Sequence, residues 1–167
     1  SKVLVVGAGS FIGQHLITLL CTDDNIQIRA LVHEPDRKYK FDPNKVVTKK
    51  GDLLQPGPLN NFLVPGCSVI NLAYLWRRTR EENLLALANL VQLCRKARVN
   101  RFVHCSTAVV AGRARDKEIT ERTICQPIND YEKNKLAIEQ FLFDQSIDGC
   151  EIAILRPTGV FGPGGKN

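Results

Sequence analysis

Lys2-Val3-Leu4-Val5-Val6-Gly7-Ala8-Gly9-Ser10-Phe11-Ile12-Gly13 opens the chain, and its reading decides the fold. A run of four apolar residues that ends in glycine is the pattern of a strand buried on both faces of a parallel sheet. Beyond the glycines, Phe11, Ile12, Leu16, Leu19 and Leu20 recur at helical spacing as far as Cys21, and Asp23-Asp24-Asn25 ends the helix. Gly7, Gly9 and Gly13 permit a tight turn and a close approach of backbone to a pyrophosphate at the helix N-terminus. With Ser10, Phe11 and Ile12 they form the predicted cofactor-binding turn. A glycine pattern alone is weak evidence. Between a Val-rich strand and a helix, at the head of an alternating chain, it is strong; the competing reading is a structural turn without ligand.

The alternation continues to the end of the sequence. Strands are expected at Ile26 to Val32, around Val46-Val47, and at Ser68 to Ala73, Arg101 to Ser106 and Glu151 to Leu155. Helices are expected briefly at Leu59 to Leu63, then over Glu81 to Ala97 and Tyr131 to Gln145, with a charged loop from Pro35 to Asn44. This order predicts an α/β fold: a doubly wound parallel sheet (Rossmann fold) with strand order 3-2-1-4-5-6, in one domain over residues 1–167.

Composition narrows the class further. The 167 residues are 44% hydrophobic and 24% charged, a globular balance that argues against disorder. No apolar run approaches the roughly 18 residues of a membrane span. The first strand leads directly into the glycine turn, so the reading expects a cytoplasmic chain with neither signal peptide nor membrane partner. Six cysteines without a CxxC pair point to reduced, buried thiols rather than a disulfide framework or zinc site. His15, His33 and His104 are scattered, and no metal site is expected.

The net charge of +6 is concentrated in Arg77, Arg78 and Arg80, in Arg95, Lys96, Arg98 and Arg101, and in Arg113, Arg115 and Lys117. Residues 95 to 101 read as a solvated helix end. The arginines at 77 to 80 follow a strand end, where a phosphate-bearing ligand and a solvated surface are both open readings. No nucleic-acid partner is expected.

Tyr131 and Lys135 stand four residues apart on a predicted helix, so they project from one face. An ammonium held near a phenol favours the phenolate and would make Tyr131 a usable proton donor or acceptor. The bland alternative is a half-buried ring beside a solvated charge. Other positions suggest cofactor contacts. An acidic residue at the end of the second strand would bind the 2′-hydroxyl of NAD, but Val32 stands there, with His33 beside it and Arg37-Lys38 nearby. That favours the 2′-phosphate of NADP, against which Glu34 counts, so the cofactor is read as NAD or NADP. Asp52 in Lys50-Gly51-Asp52-Leu53 is placed either to accept from the adenine amino group or to close a turn.

Five segments together resemble the extended short-chain dehydrogenase/reductase family, also called the NAD-dependent epimerase/dehydratase family. The glycine turn is similar to GxxGxxG, with Ser10 in place of the middle glycine. Gly51-Asp52-Leu53 and Asn71-Leu72-Ala73 look like the family's adenine-side and fourth-strand segments. His104-Cys105-Ser106-Thr107 through Ala111-Gly112 resembles the fifth-strand signature, although Ala111 replaces its usual Tyr. Tyr131 and Lys135 match YxxxK, and Leu155-Arg156-Pro157 through Gly164 resembles LRPxxxYGP.

The resemblance implies that Tyr131 is the acid/base, that Lys135 lowers its pKa and holds the nicotinamide ribose, and that Thr107 positions the substrate oxygen. It implies cofactor contacts from Leu53, Leu72, Ala73 and Pro157. It also implies a longer chain whose C-terminal substrate domain is largely absent here, and a homodimer through helices 81–97 and 131–145. The expected activity is that of an epimerase, dehydratase or dehydrogenase on a nucleotide-linked sugar. The alternatives are an NADPH-dependent ketone reductase or hydroxysteroid-type dehydrogenase, favoured by Gly159 where Asn is frequent, and a non-catalytic cofactor sensor or scaffold.

Overall fold

The computed structural model describes residues 1–33, 41–113 and 118–165; Glu34, Arg37, Lys38, Arg115 and Lys117 lie outside them. Strands β1 (Lys2–Val6), β2 (Gln27–Val32), β3 (Val46–Lys50), β4 (Ser68–Asn71), β5 (Arg101–Cys105) and β6 (Glu151–Leu155) form one sheet in the order 3-2-1-4-5-6. Every pairing in it is parallel. Helices α1 (Phe11–Leu20), α2 (Arg80–Ala97) and α3 (Asp130–Phe143) connect the strands. The expected fold class is the observed one.

Several boundaries move by a residue or more, three of them for a plain local reason. β4 stops at Asn71 because the Asn71 Oδ1 accepts from the Ala73 N–H, bending the chain out of the sheet before Ala73. The helix expected at Leu59 to Leu63 is a single 3-10 turn over Gly57–Leu59, led by Pro56. β3 runs on past Val47 to Lys50, because register with β2 carries it to Val32.

Helix starts follow their side chains. Ser10, Thr79 and Asn129 each accept a backbone N–H of the first turn, and Thr79 with Glu82 makes a full capping box. The larger core lies between the sheet and α2/α3, built on Leu4, Val69, Leu90, Phe102 and Leu142. A smaller core, with Val5, Ala30, Val32 and Ile17, joins β1–β3 to α1. Beyond α1 on that same side, Ile70, Val103, Cys105 and Ala153 are only half buried and Leu155 is exposed. Parallel sheets are ordinarily covered on both faces.

Two glycines hold the first turn against the sheet. Gly7 has a left-handed φ of 77°, and a Cβ there would lie 2.9 Å from the Ala73 nitrogen at the β4 exit. A Cβ on Gly13 would lie 2.6 Å from the carbonyl oxygens of Gly7 and Ala8. Backbone therefore packs on backbone, and Gly13→Ala should destabilise the domain by about 1–3 kcal/mol, seen as a lower urea midpoint at constant m. An unchanged midpoint would contradict this close packing.

Candidate active site

The C-terminal ends of the strands bring together the β1–α1 turn, the β4–α2 loop, the β5 exit and the first turns of α3. Gly7, Gly9, Ser10, Val32, His33, Leu72, Ala73, Tyr74, Leu75, Trp76 and Arg78 line one cleft there, of about 370 Å³. Of the predicted cofactor contacts, Gly7, Gly9, Ser10, His33, Leu72 and Ala73 thus line one cleft, whereas Phe11, Ile12, Gly13, Leu53 and Pro157 are not part of its lining. Asp52 stands apart from that list: its Oδ1 accepts the Leu54 N–H at 2.8 Å, which closes a turn.

The α1 N-terminus suits an anion. Its first turn carries no acidic residue, whereas α2 begins with Glu81 and Glu82 and α3 with Asp130 and Glu132. The Ser10 hydroxyl is engaged as N-cap, accepting from the Gly13 N–H at 3.1 Å. The missing middle glycine is therefore replaced by a cap, and the dipole of α1 still faces the cleft. These residues fit a dinucleotide pyrophosphate.

Thr107 follows β5 and caps a short 3-10 turn over Ala108–Ala111, its Oγ1 facing the Val109 N–H at 3.4 Å. It is half-buried, while Ser106 beside it is buried with an unpartnered Oγ. Access thus favours Thr107 as the group able to meet a ligand. The Pro157 carbonyl accepts from the Ala108 N–H at 2.8 Å, so the segment after β6 braces the Thr107 turn.

Tyr131 and Lys135 stand one turn apart on α3, and the ammonium has a partner within the chain. The Lys135 ammonium is buried and donates to the Cys105 carbonyl at 2.8 Å. Burial pushes its pKa down, opposed by Cys105 and Glu139. Burial also pushes the Tyr131 phenol up, with Tyr74 and Cys105 adding to the effect, and Lys135 is not among the groups that move it. The lysine thereby ties α3 to β5.

Sequence reasoning missed three features. Glu139, fully buried, receives a two-pronged contact from Arg156, with Nε at 3.0 and 3.1 Å and Nη2 at 2.6 Å. The signal was present, since Glu139 continues the Tyr131/Lys135 face one turn further. Tyr74 and Trp76 form an aromatic wall: the indole stacks on the Tyr131 ring at 5.2 Å and 9°, and Tyr74 meets both edge-on. His104, read only as scattered, is buried against Asn71. Because the Asn71 Oδ1 serves Ala73, its Nδ2 donates to His104 Nδ1 and the ring proton sits on Nε2. Burial, then Lys135, pushes its pKa down to about 3, so it is a neutral structural histidine.

All six cysteines are free. Among the described residues there is no cluster of metal-ligating side chains and no helix long and apolar enough to cross a membrane.

Fold and site define a doubly wound domain of the short-chain dehydrogenase/reductase type. The chain belongs to the NAD dependent epimerase/dehydratase family, whose profile matches residues 3–167. Sterol-4-alpha-carboxylate 3-dehydrogenase (decarboxylating) of Schizosaccharomyces pombe is 28% identical across 99% of this chain and 52% of its own length. An uncharacterized UDP-glucose epimerase of Bacillus subtilis is 28% identical across 97% of this chain and 57% of its own. Among solved structures, MoeE5 in complex with UDP-glucose and NAD superposes with a TM-score of 0.81 at 29% identity, covering 99% of this chain and 57% of that one. The chain thus spans about half the length of the curated relatives it matches.

Two outcomes follow from the geometry. Arg156→Ala strands a fully buried carboxylate, whereas Glu139→Ala strands a guanidinium that is 26% exposed. Both variants lose stability, Arg156→Ala the more, by about 3–5 kcal/mol; the reverse order in chemical denaturation contradicts the arrangement. In ultraviolet titration of the cofactor-free protein, the component lost in Tyr131→Phe should ionise above the ordinary tyrosine range. Ionisation below that range would restore the role first read for Lys135.

Proposed function

We propose that this chain is the cofactor-binding, catalytic half of an NAD-dependent oxidoreductase acting at a secondary alcohol carbon. The observation that carries the proposal is twofold: Lys135, one turn from Tyr131 on α3, donates to the Cys105 carbonyl two residues before Thr107, and Trp76, which lines the glycine-walled cleft, stacks on the Tyr131 ring. Nicotinamide, when bound, accepts or returns the hydride. The protein's part is to hold the alcohol oxygen between the Thr107 hydroxyl and the Tyr131 phenol and to move its proton through Tyr131. Lys135 holds α3 against β5 and has further N–H donors for the cofactor's ribose hydroxyls. Pro157 and the Ala73 segment would contact the cofactor, and Gly7 to Gly13 would hold its pyrophosphate.

NAD is the proposed cofactor, supported by the family to which the chain belongs and by the NAD named in the MoeE5 complex. The NADP reading rested on Val32, His33, Arg37 and Lys38. Of these, Val32 and His33 line the cleft, and Arg37 and Lys38 lie outside the described residues. The proposed substrate is a nucleotide-linked sugar, supported by the UDP-glucose of MoeE5 and by the Bacillus relative's name. A second reading, a sterol-type ring alcohol, is supported by the Schizosaccharomyces relative and by the aromatic wall of Tyr74 and Trp76. Retention of Thr107, Tyr131 and Lys135 together argues against a non-catalytic scaffold. A homodimer through α2 and α3 would cover Leu85 and Phe143, which are exposed on those helices.

With UDP-glucose as substrate and NAD as oxidant, Tyr131→Phe should lower turnover roughly 100- to 10,000-fold and leave NADH affinity nearly unchanged. Full turnover in this variant sinks the assignment. NADPH binding much tighter than NADH would instead reinstate the cofactor first read from the β2 end.

A further inference from the structure

The loop between β4 and α2 carries two residues that the fold alone does not explain. Trp76, the only tryptophan of the sequence, is 69% exposed although it stacks on the Tyr131 ring and lines the cleft with the glycine turn. Arg77, next to it, is held at φ 66°, a left-handed conformation that costs any residue but glycine. The loop is fixed in this shape. Asn83 pins Leu75 from both sides, accepting its N–H at 2.9 Å and donating to its carbonyl at 3.2 Å, and the Arg78 N–H closes on the Leu75 carbonyl. Arg78 lines the cleft as well and pairs with Glu82. Arg77 makes no hydrogen bond or ion pair among the described residues. The strained turn thus presents an indole stacked on the Tyr131 ring and, at the next residue, an exposed arginine with no partner among the described residues.

We propose that the Trp76–Arg77 turn is the substrate-recognition element of this site. The indole packs against the ring that bears the reacting alcohol, and Arg77 pairs with an anionic group on the same molecule. The proposal rests on Tyr131 being the acid/base. It defines the ligand by shared chemistry, a ring alcohol carrying an anion, which a nucleotide sugar and a polycyclic carboxylate both supply.

The test titrates the protein with UDP-glucose and, separately, with monomeric cholate, reading Trp76 fluorescence; glucose and inorganic pyrophosphate are the controls. One of the two ring anions should alter the emission saturably, and the controls should not. Measured by isothermal titration calorimetry, which needs no tryptophan, Trp76→Ala and Arg77→Gly should each weaken that ligand by about tenfold. Arg77→Gly should melt no lower than wild type, because glycine relieves the left-handed strain. UDP-glucose as the sole responder selects the nucleotide source, and cholate the polycyclic one. No response to either ring anion, equal responses to the controls, or unchanged affinity in both variants overturns the proposal. NADH binding, followed in Trp76→Ala, keeps the two readings apart: if NADH binds and Tyr131→Phe is inactive while the ring anions fail, only the recognition element is lost.

Discussion

The ion pair between Glu139 and Arg156 is the contact on which the arrangement of the site depends. Glu139 sits on the face of α3 that also carries Tyr131 and Lys135, and Arg156 leads out of β6 into Pro157. One buried contact therefore ties the helix of the proposed acid/base to the segment whose next carbonyl braces the Thr107 turn. Lys135 adds a second tie from α3 to β5. A buried carboxylate is tolerable only because the guanidinium meets both of its oxygens. These two ties hold α3, which carries Tyr131, against the β5 exit that leads into Thr107.

Opposite this clamp lies a region of backbone contact. Gly7 and Gly13 allow the first turn, the α1 start and the β4 exit to touch without side chains between them. The result is a cleft with a bare, dipole-bearing wall on one side and an aromatic, basic wall of Tyr74, Trp76 and Arg78 on the other. The bare wall suits the part of a ligand that is common to a whole class of enzymes. The aromatic one is where this chain acquires its own character.

Much of this was legible in the residues. Short apolar strands alternating with helical periods imply a parallel sheet, and the right-handed crossover rule then leaves few strand orders. The one-turn spacing of Tyr131 and Lys135 could also be read directly, whereas Thr107 entered through the family resemblance. What could not be read depends on where long side chains end. Spacing places Lys135 on the face of Tyr131 but does not say that its ammonium reaches the Cys105 carbonyl and leaves the phenol to the effect of burial. Glu139 drew no reading from the sequence, because its partner lies 17 residues away. Trp76 sits in a segment with no strand or helix period, so periodicity was silent about it. The half-covered side of β4–β6 likewise follows from which strands α1 packs on, a matter of layers rather than pattern.

The central claim is that one cleft holds the dinucleotide so that its reactive end meets Thr107 and Tyr131. A crystal structure of the protein with NADH bound tests it most directly. The account predicts the pyrophosphate at the α1 N-terminus over Gly7 to Gly13, with the nicotinamide between Pro157 and the Tyr131–Lys135 face of α3. A cofactor seated elsewhere, or a nicotinamide pointing away from Tyr131, would contradict it.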